Sequence, residues 1–449
     1  MGILSFLEEV ESGLKKYQAK LNNFYYKKKF FLNFLFKLLF AHLLARQQKL
    51  ELKPKRRQMI FFKIIFWLSF FVLIYAYLGY GMLLWIYLRW FQNKKSKIED
   101  LTQFEPTVTL IIATYNEELI IKDKIENSKQ LDYPLDKFKI LIVADGSHDS
   151  SLSIIGKYPG IQLFYKPERE GKSAAINRIM PFVNTSYVIF SDANTLLNPQ
   201  CIKEIVKHYQ DPSIGAVAGE KKVIDSSDNR TTAGAGEGLY WKYESILKKL
   251  DAQFFTVVGA AGELFSIKTD LFEPVAQNIL LDDFIISMSI CKKGYKVMYE
   301  PNAYATEAPS YSLKEEQKRK IRIAAGAFQS MFILKDLLNF FKFGKLSFQY
   351  ISHRVLRWLV CPVLLPLLLA FNLYIYIQTN LNLYLIILIF QLTFYFTALL
   401  GWLASLINLK PKLLYVAYYF VFMNVSMYLG FVRFINNKQS VLWEKAKRK

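Results

Sequence analysis

An α/β domain set between membrane-spanning helices is the architecture this sequence predicts. Three observations carry that expectation. Residues 64–88 hold no charge and are rich in Phe, Leu, Ile and Trp, which is long enough to cross a bilayer as a helix. Residues 358–409 again lack charge. Between these blocks, short β-rich apolar runs alternate with polar helical stretches, the pattern of βαβ units and a mostly parallel sheet.

Composition agrees with a membrane protein. The chain has 449 residues, 53% of them hydrophobic and 16% aromatic, with a formal net charge of +21. On a soluble chain that charge would point to nucleic acid. Here the apolar residues are gathered in blocks, so a lipid bilayer is the expected partner and nucleic acid is not. Cys201, Cys291 and Cys361 lie far apart and form no CxxC pair, as expected of unpaired thiols in a reducing compartment. Residues 1–29 are polar and charged and lack the short apolar core of a cleavable signal.

Taken in order, residues 1–58 form a basic N-terminal region. Its apolar stretch, 30–45, is interrupted by Asn33, Lys37 and His42, and reads as an amphipathic helix in the membrane interface, with a short extra span as the minor alternative. A transmembrane helix follows over 59–90, with Lys63 before its apolar part and Arg89, Lys94, Lys95 and Lys97 after it. A linker covers 91–105. The globular domain covers 106–335 and ends in an interfacial helix near 313–335. At about 225 residues it is long enough to bury its own core. Its expected strands are 108–113, 140–144, 162–165 and 187–190. Residues 336–357 read as an interfacial linker.

Residues 358–435 hold two to three spans. Thr379-Asn380-Leu381-Asn382 makes a turn between the first two, and Asn424 and Ser426 weaken the last. Lys410-Pro411-Lys412 suggests a cytoplasmic turn, and the tail over 436–449 is basic too. A basic tail across the membrane from that turn would break the charge rule, so the last segment reads either as a span or as re-entrant.

In open α/β sheets, ligands bind outside the carboxyl ends of the strands. The first strand runs into Thr114, Tyr115, Asn116 and Glu117. The second ends at Asp145-Gly146-Ser147-His148-Asp149. The third leads to Lys166, Arg169, Gly171 and Lys172. The fourth ends at Asp192-Ala193-Asn194. Singly, each is ordinary: Asp-Gly is a common turn, and a lone lysine is usually solvated. Four polar endings in sheet order are harder to attribute to turns.

The combination resembles the membrane-bound branch of the family 2 glycosyltransferases, which includes cellulose, hyaluronan and poly-N-acetylglucosamine synthases. The matching pieces are TLIIATYNEE, ILIVADGSHD, EGKSAAIN, IFSDANTLLNP, LLDDF and QKRKIR, in that order. The resemblance implies a Rossmann-like, GT-A-type nucleotide-sugar-binding domain inserted between transmembrane helices. It implies a hexosyltransferase-type inverting enzyme that moves a sugar from a UDP-sugar. It assigns donor binding to Thr114, Glu117, Asp145, Lys172, Asp192, Arg319 and Arg322. Asp192 and Asn194 align with the family's Asp-x-Asp motif and become the candidate ligands for Mg²⁺ or Mn²⁺. Asp283 aligns with the general base, with Asp282 as its acidic neighbour; without the resemblance, both equally suit a helix N-terminus.

Two departures stand out. Asn194 offers an oxygen without charge. In the family's Gln-x-x-Arg-Trp pattern, Arg319 replaces glutamine, Arg322 matches arginine, and Ile323 replaces tryptophan. Gly259-Ala260-Ala261-Gly262-Glu263 sits where the family has an acceptor loop, and Tyr240 and Trp241 are candidate acceptor aromatics with core packing as the alternative. His148 and His208 read as structural or exposed. The favoured product is a β-linked extracellular polysaccharide, with export through the membrane helices as an added role. The alternatives are single transfer to a lipid-linked acceptor and a silent nucleotide-sugar-binding subunit. Expected partners are the donor, a polysaccharide or lipid-linked acceptor, the bilayer, and a partner subunit or further copies of this chain. The expected location is the plasma (inner) membrane, with the catalytic domain on the cytoplasmic side.

Overall fold

The computed structural model describes residues 56–91, 104–223, 232–308, 312–407 and 412–436, together with Leu409, Ser440 and Leu442. The helix expected over 30–45 and nearly all of the basic tail lie outside the described residues. The chain divides into two compact units, 1–61 and 62–449. The first is described only from Arg56, in the opening turns of α1 (Arg56–Ile74). A π turn over Tyr75–Gly79 joins α1 to α2 (Tyr80–Phe91).

The domain that follows is an eight-stranded sheet. In chain order its elements are β1 (Val108–Thr114), α3 (Ile121–Lys129), β2 (Phe138–Asp145), β3 (Ile161–Lys166), α4 (Lys172–Ile179), β4 (Tyr187–Asp192) and β5 (Thr195–Leu197). Then come β6 (Ile214–Val223), α5 (Thr232–Phe254), β7 (Leu264–Lys268), α6 (Asp282–Lys292), β8 (Lys296–Glu307) and α7 (Leu313–Ile333). The strand order is β3-β2-β1-β4-β7-β6-β8-β5.

Successive side chains of a strand point to opposite faces. Ile111 and Ala113 of β1 join one apolar core, while Val108, Leu110 and Ile112 join the other. Both faces are covered, so β1 is buried at every position and reads as a continuous apolar run.

The sheet is mixed rather than mostly parallel. β1, β2, β3 and β4 pair in parallel, but β7 is antiparallel to both β4 and β6. α5 separates β6 from β7 in the chain. β5 also pairs antiparallel with β8.

Among the described residues, four helices are long and apolar enough to cross a membrane: Arg57–Phe91, Lys345–Thr379, Asn382–Leu406 and Leu413–Ile435. The last three contain α8 (Cys361–Thr379), α9 (Asn382–Leu406) and α10 (Lys412–Ile435). Their outward side chains include Phe390 at 72% exposure, a surface suited to lipid. Asn380 turns the chain between α8 and α9 in the left-handed region (φ 51°). The final segment is one unbroken helix and not a re-entrant pair. The stretch 336–357 is helical for most of its length, ending in a π-helical run over Tyr350–Val360 that leads into α8. His353 and Arg354 of that run are buried against Glu244 and Asp251 of α5, which explains polar residues at the head of an apolar helix.

Candidate active site

Strand register places three of the expected residues on one rim. Thr114 pairs with Ala144, Asp145 with Lys166, and Ala113 with Asp192. Asp145 is fully buried and shapes the neighbouring loop. Its carboxylate accepts from the Gly171 N–H at 2.7 Å and the Glu170 N–H at 3.1 Å, with the Arg178 guanidinium at 3.4 Å. That clamp holds Gly171 at φ 96°, a conformation side-chain-bearing residues rarely take, and so aims the start of α4. Thr114 Oγ1 is buried with no partner among the described residues. Neither Thr114 nor Asp145 lines the main cavity; Glu117 does.

That cavity has a volume of about 1130 Å³. On its wall Lys172 Nζ meets Asp192 Oδ1 at 2.6 Å. Asp282 and Asp283 enter from the first turn of α6, and Arg322 enters from α7. Gly262 keeps these groups close: a Cβ there would lie 3.1 Å from Lys172 Nζ and 3.5 Å from Asp283 Oδ2. The cavity continues between membrane helices, past Trp358, Tyr419, Phe420 and Met423.

The charges act on one another. Burial, then the charge of Asp282, pushes the Asp283 carboxyl up to about 7, although Lys172 opposes the shift. Burial alone would lower Lys172, but Asp192, Asp282 and Asp283 outweigh it and hold the ammonium charged. Burial lowers Arg322, which faces Asp282 and Asp192. The Arg322 Nε and Asp282 Oδ2 atoms are buried without hydrogen-bond partners among the described residues.

Asn194 has a structural reason not to be aspartate. Its amide nitrogen donates to Glu307 Oε1 at 3.1 Å, and Glu307 is 3% exposed. A carboxylate at 194 would face another carboxylate. Arg319, which also lines the cavity, lies 3.1 Å from Glu263 and 3.9 Å from Glu307. Lys221 bridges the same two glutamates. Burial would raise Glu263, but Lys221 and Arg319 hold it well below the usual carboxylate range.

Other polar groups were not legible in the sequence. Lys124, fully buried, donates to Ser191 Oγ at 2.7 Å and the Thr195 carbonyl at 2.8 Å, bracing the turn that presents Asp192. Burial pushes it down to about 7. In the sequence it is one of several lysines in a polar helix, and nothing local marks it. Trp241 and Lys248 of α5 line the cavity, whereas the Tyr240 side chain lies outside what is described. His208 pairs with Glu300 at 2.8 Å, and His148 contacts Asn116, which gives both histidines structural partners. The three cysteines are buried and unbridged.

The mixed sheet and its polar rim define a GT-A-type domain, and residues 109–273 match the family model described as Glycosyl transferase family 2. That stretch is a domain that matches the family 2 glycosyltransferase model. The chain is similar to poly-beta-1,6-N-acetyl-D-glucosamine synthase of Staphylococcus aureus (strain COL), with 26% identity over 57% of this chain and 62% of the relative's length. It is also similar to the probable glycosyltransferase YdaM of Bacillus subtilis (strain 168), with 26% identity over 53% of this chain and 58% of that one. The match thus spans less than two thirds of either relative. Among solved structures, the mannosyltransferase PcManGT from Pyrobaculum calidifontis, in complex with GDP-Man and Mn²⁺, superposes with a TM-score of 0.61. That likeness covers 84% of this chain and 100% of the other at 22% identity, and it shows a shared fold.

Proposed function

We propose that this chain is an inverting membrane glycosyltransferase that moves a sugar from a UDP-sugar to a growing β-linked polysaccharide. The observation that carries this is the placement of Asp283, with its raised pKa, across Gly262 from the Lys172–Asp192 pair. The names of the synthase relatives support the product class. The catalytic domain is assigned to the cytoplasmic side of the plasma membrane, where a nucleotide sugar is supplied.

In this reading Asp283 takes the proton of an acceptor hydroxyl. That oxygen attacks the anomeric carbon as the bond to the diphosphate breaks, and the electron pair leaves with UDP. Attack opposite the leaving group inverts the anomeric configuration. Lys172 and Arg322 face the departing charge, where fixed cations in a partly dry site act strongly. Thr114, Glu117 and Asp145 are assigned to the nucleoside side of the donor. Arg319 acts through Glu263.

The donor set fits a divalent cation. Asp192 is a hard oxygen ligand with 32% of its side chain exposed, and Asn194 keeps its amide oxygen while its nitrogen is engaged. No cluster of three or more His, Cys, Asp or Glu suited to a metal occurs among the described residues. Such a site suits Mg²⁺ or Mn²⁺, which bind through one or two carboxylates plus substrate phosphates. A bound cation there supplies charge neutralisation at the diphosphate.

The test uses full-length protein in lipid with Mg²⁺ or Mn²⁺ and separate UDP- and GDP-sugars, scoring nucleotide release and product mass. A ladder of masses with a UDP-sugar supports the proposal. A single added mass on a lipid supports the alternative that the apolar lining at Tyr419, Phe420 and Met423 favours. Nucleotide binding without release from any donor would overturn catalysis and leave a silent subunit.

Two further outcomes are expected. Because Asp283 must be ionised to accept a proton, kcat/KM should fall below about pH 7, by about tenfold per pH unit. Removing the cation that favours its charged form, with Lys172→Met, should move that limb to higher pH; a limb that stays in place would exclude the coupling. Gly262→Ala should crowd Lys172 and Asp283 and lower kcat by about tenfold or more, with little change in thermal stability. Unchanged kcat would show that the groups do not need this approach.

A further inference from the structure

We propose that Trp241 and Lys248 form an acceptor subsite for an acidic sugar, the indole taking the ring face and the ammonium a carboxylate carried on that ring. This rests on the glycosyl-transfer reading and names its acceptor class. The two residues lie about two turns apart on α5, a spacing that puts them on one face of the helix, and both line the cavity that holds Asp283.

Three lysines surround the indole. The ammonium groups of Lys221, Lys248 and Lys320 lie 5.1, 5.3 and 6.0 Å from its ring centre. Lys221 is paired with Glu263 and Glu307, and Lys320 with Glu316. Lys248 differs. It is 2% exposed, and its Nζ has no hydrogen-bond partner among the described residues. The acids nearest it are already engaged: Glu220 by Tyr299 and Ser245, Glu244 by Arg354 and Arg357, and Glu263 by Lys221 and Arg319. A buried ammonium left without a partner is costly, and an incoming anion would remove that cost. Burial also lowers the Lys248 pKa, against the opposing charges of Glu220 and Glu244.

Trp241 supplies what α7 lacks. Ile323 stands where the family pattern places a stacking tryptophan, and it lines the same cavity. Lys320, one turn earlier on α7, reaches the Trp241 ring, so the indole lies beside this part of α7. A ring stacked on the indole would hold an exocyclic carboxylate within reach of Lys248.

The experiment measures transfer by the full-length protein in lipid, using the donor identified above. Matched oligosaccharide acceptors end in either glucuronic acid or glucose. The expected acceptor KM is about tenfold lower for the acidic series. Lys248→Met should erase that preference and Lys248→Arg should keep it. Trp241→Leu should raise the acceptor KM of both series by about tenfold, with donor KM held within about twofold. Equal KM values in the wild type would overturn the proposal without any variant. So would a preference that survives Lys248→Met, or better use of a neutral sugar carried on a lipid phosphate. Absence of nucleotide release from every donor, with both acceptor series present, would instead sink the underlying glycosyl-transfer reading.

Discussion

Asp283→Asn is expected to abolish sugar transfer and leave nucleotide binding intact. The substitution keeps the shape of the side chain and removes its ability to accept a proton. Positioned general bases contribute about 10²–10⁴-fold, so kcat should drop by at least about 10³ in a site where no other group can take over. The candidate substitute is Asp282, which sits in the same first turn of α6 but is 5% exposed. Loss of the Asp283 charge also removes one of the carboxylates that hold Lys172 charged, though Asp192 remains at 2.6 Å. UDP binding by calorimetry should therefore stay within about threefold of wild type, a change of less than 1 kcal/mol. Transfer at wild-type rate would show that another group takes the proton.

Asp192→Ala should be as damaging for a different reason. It removes the carboxylate that opposes Lys172 and the principal candidate ligand for a cation. Losing electrostatic stabilisation of a leaving group typically costs about 10²–10³ in kcat, and loss of the cation adds to it. The distinguishing readout is binding: Mn²⁺ should strengthen UDP binding by the wild type and have no effect on the variant. If Mn²⁺ strengthens UDP binding equally in both, Asp192 is not the ligand. Asn194→Ala should be milder, because Asn194 contributes no charge. Asn194→Asp should not improve the site, since the new carboxylate would face Glu307.

Some of this was written in local sequence. The runs that become β1, β2 and β4 are largely apolar on both faces, and the polar ends of β1 to β4 fall at the rim because the strands are parallel and in register. The four membrane-length helices are equally plain, since lipid demands long uncharged segments. β6, β7 and β8 were not singled out. β8 crosses Glu300, Asn302 and Glu307, polar residues that a strand tolerates only when distant groups meet them, as His208 does for Glu300.

Local sequence alone places polar groups at the mouth of an α/β sheet beside a membrane, because strand ends and apolar blocks are local features. Long-range packing sets what those groups meet. Asn194 and Glu307 are 113 residues apart in the chain, yet one hydrogen bond explains the missing aspartate. Two buried glutamates distant in the chain meet Arg319. Asp283 gains its raised pKa, and Lys248 its burial without a hydrogen-bond partner among the described residues, only from packing between distant segments. Burial and charge proximity depend on which residues meet in space, and spacing along the chain does not encode that for long-range contacts.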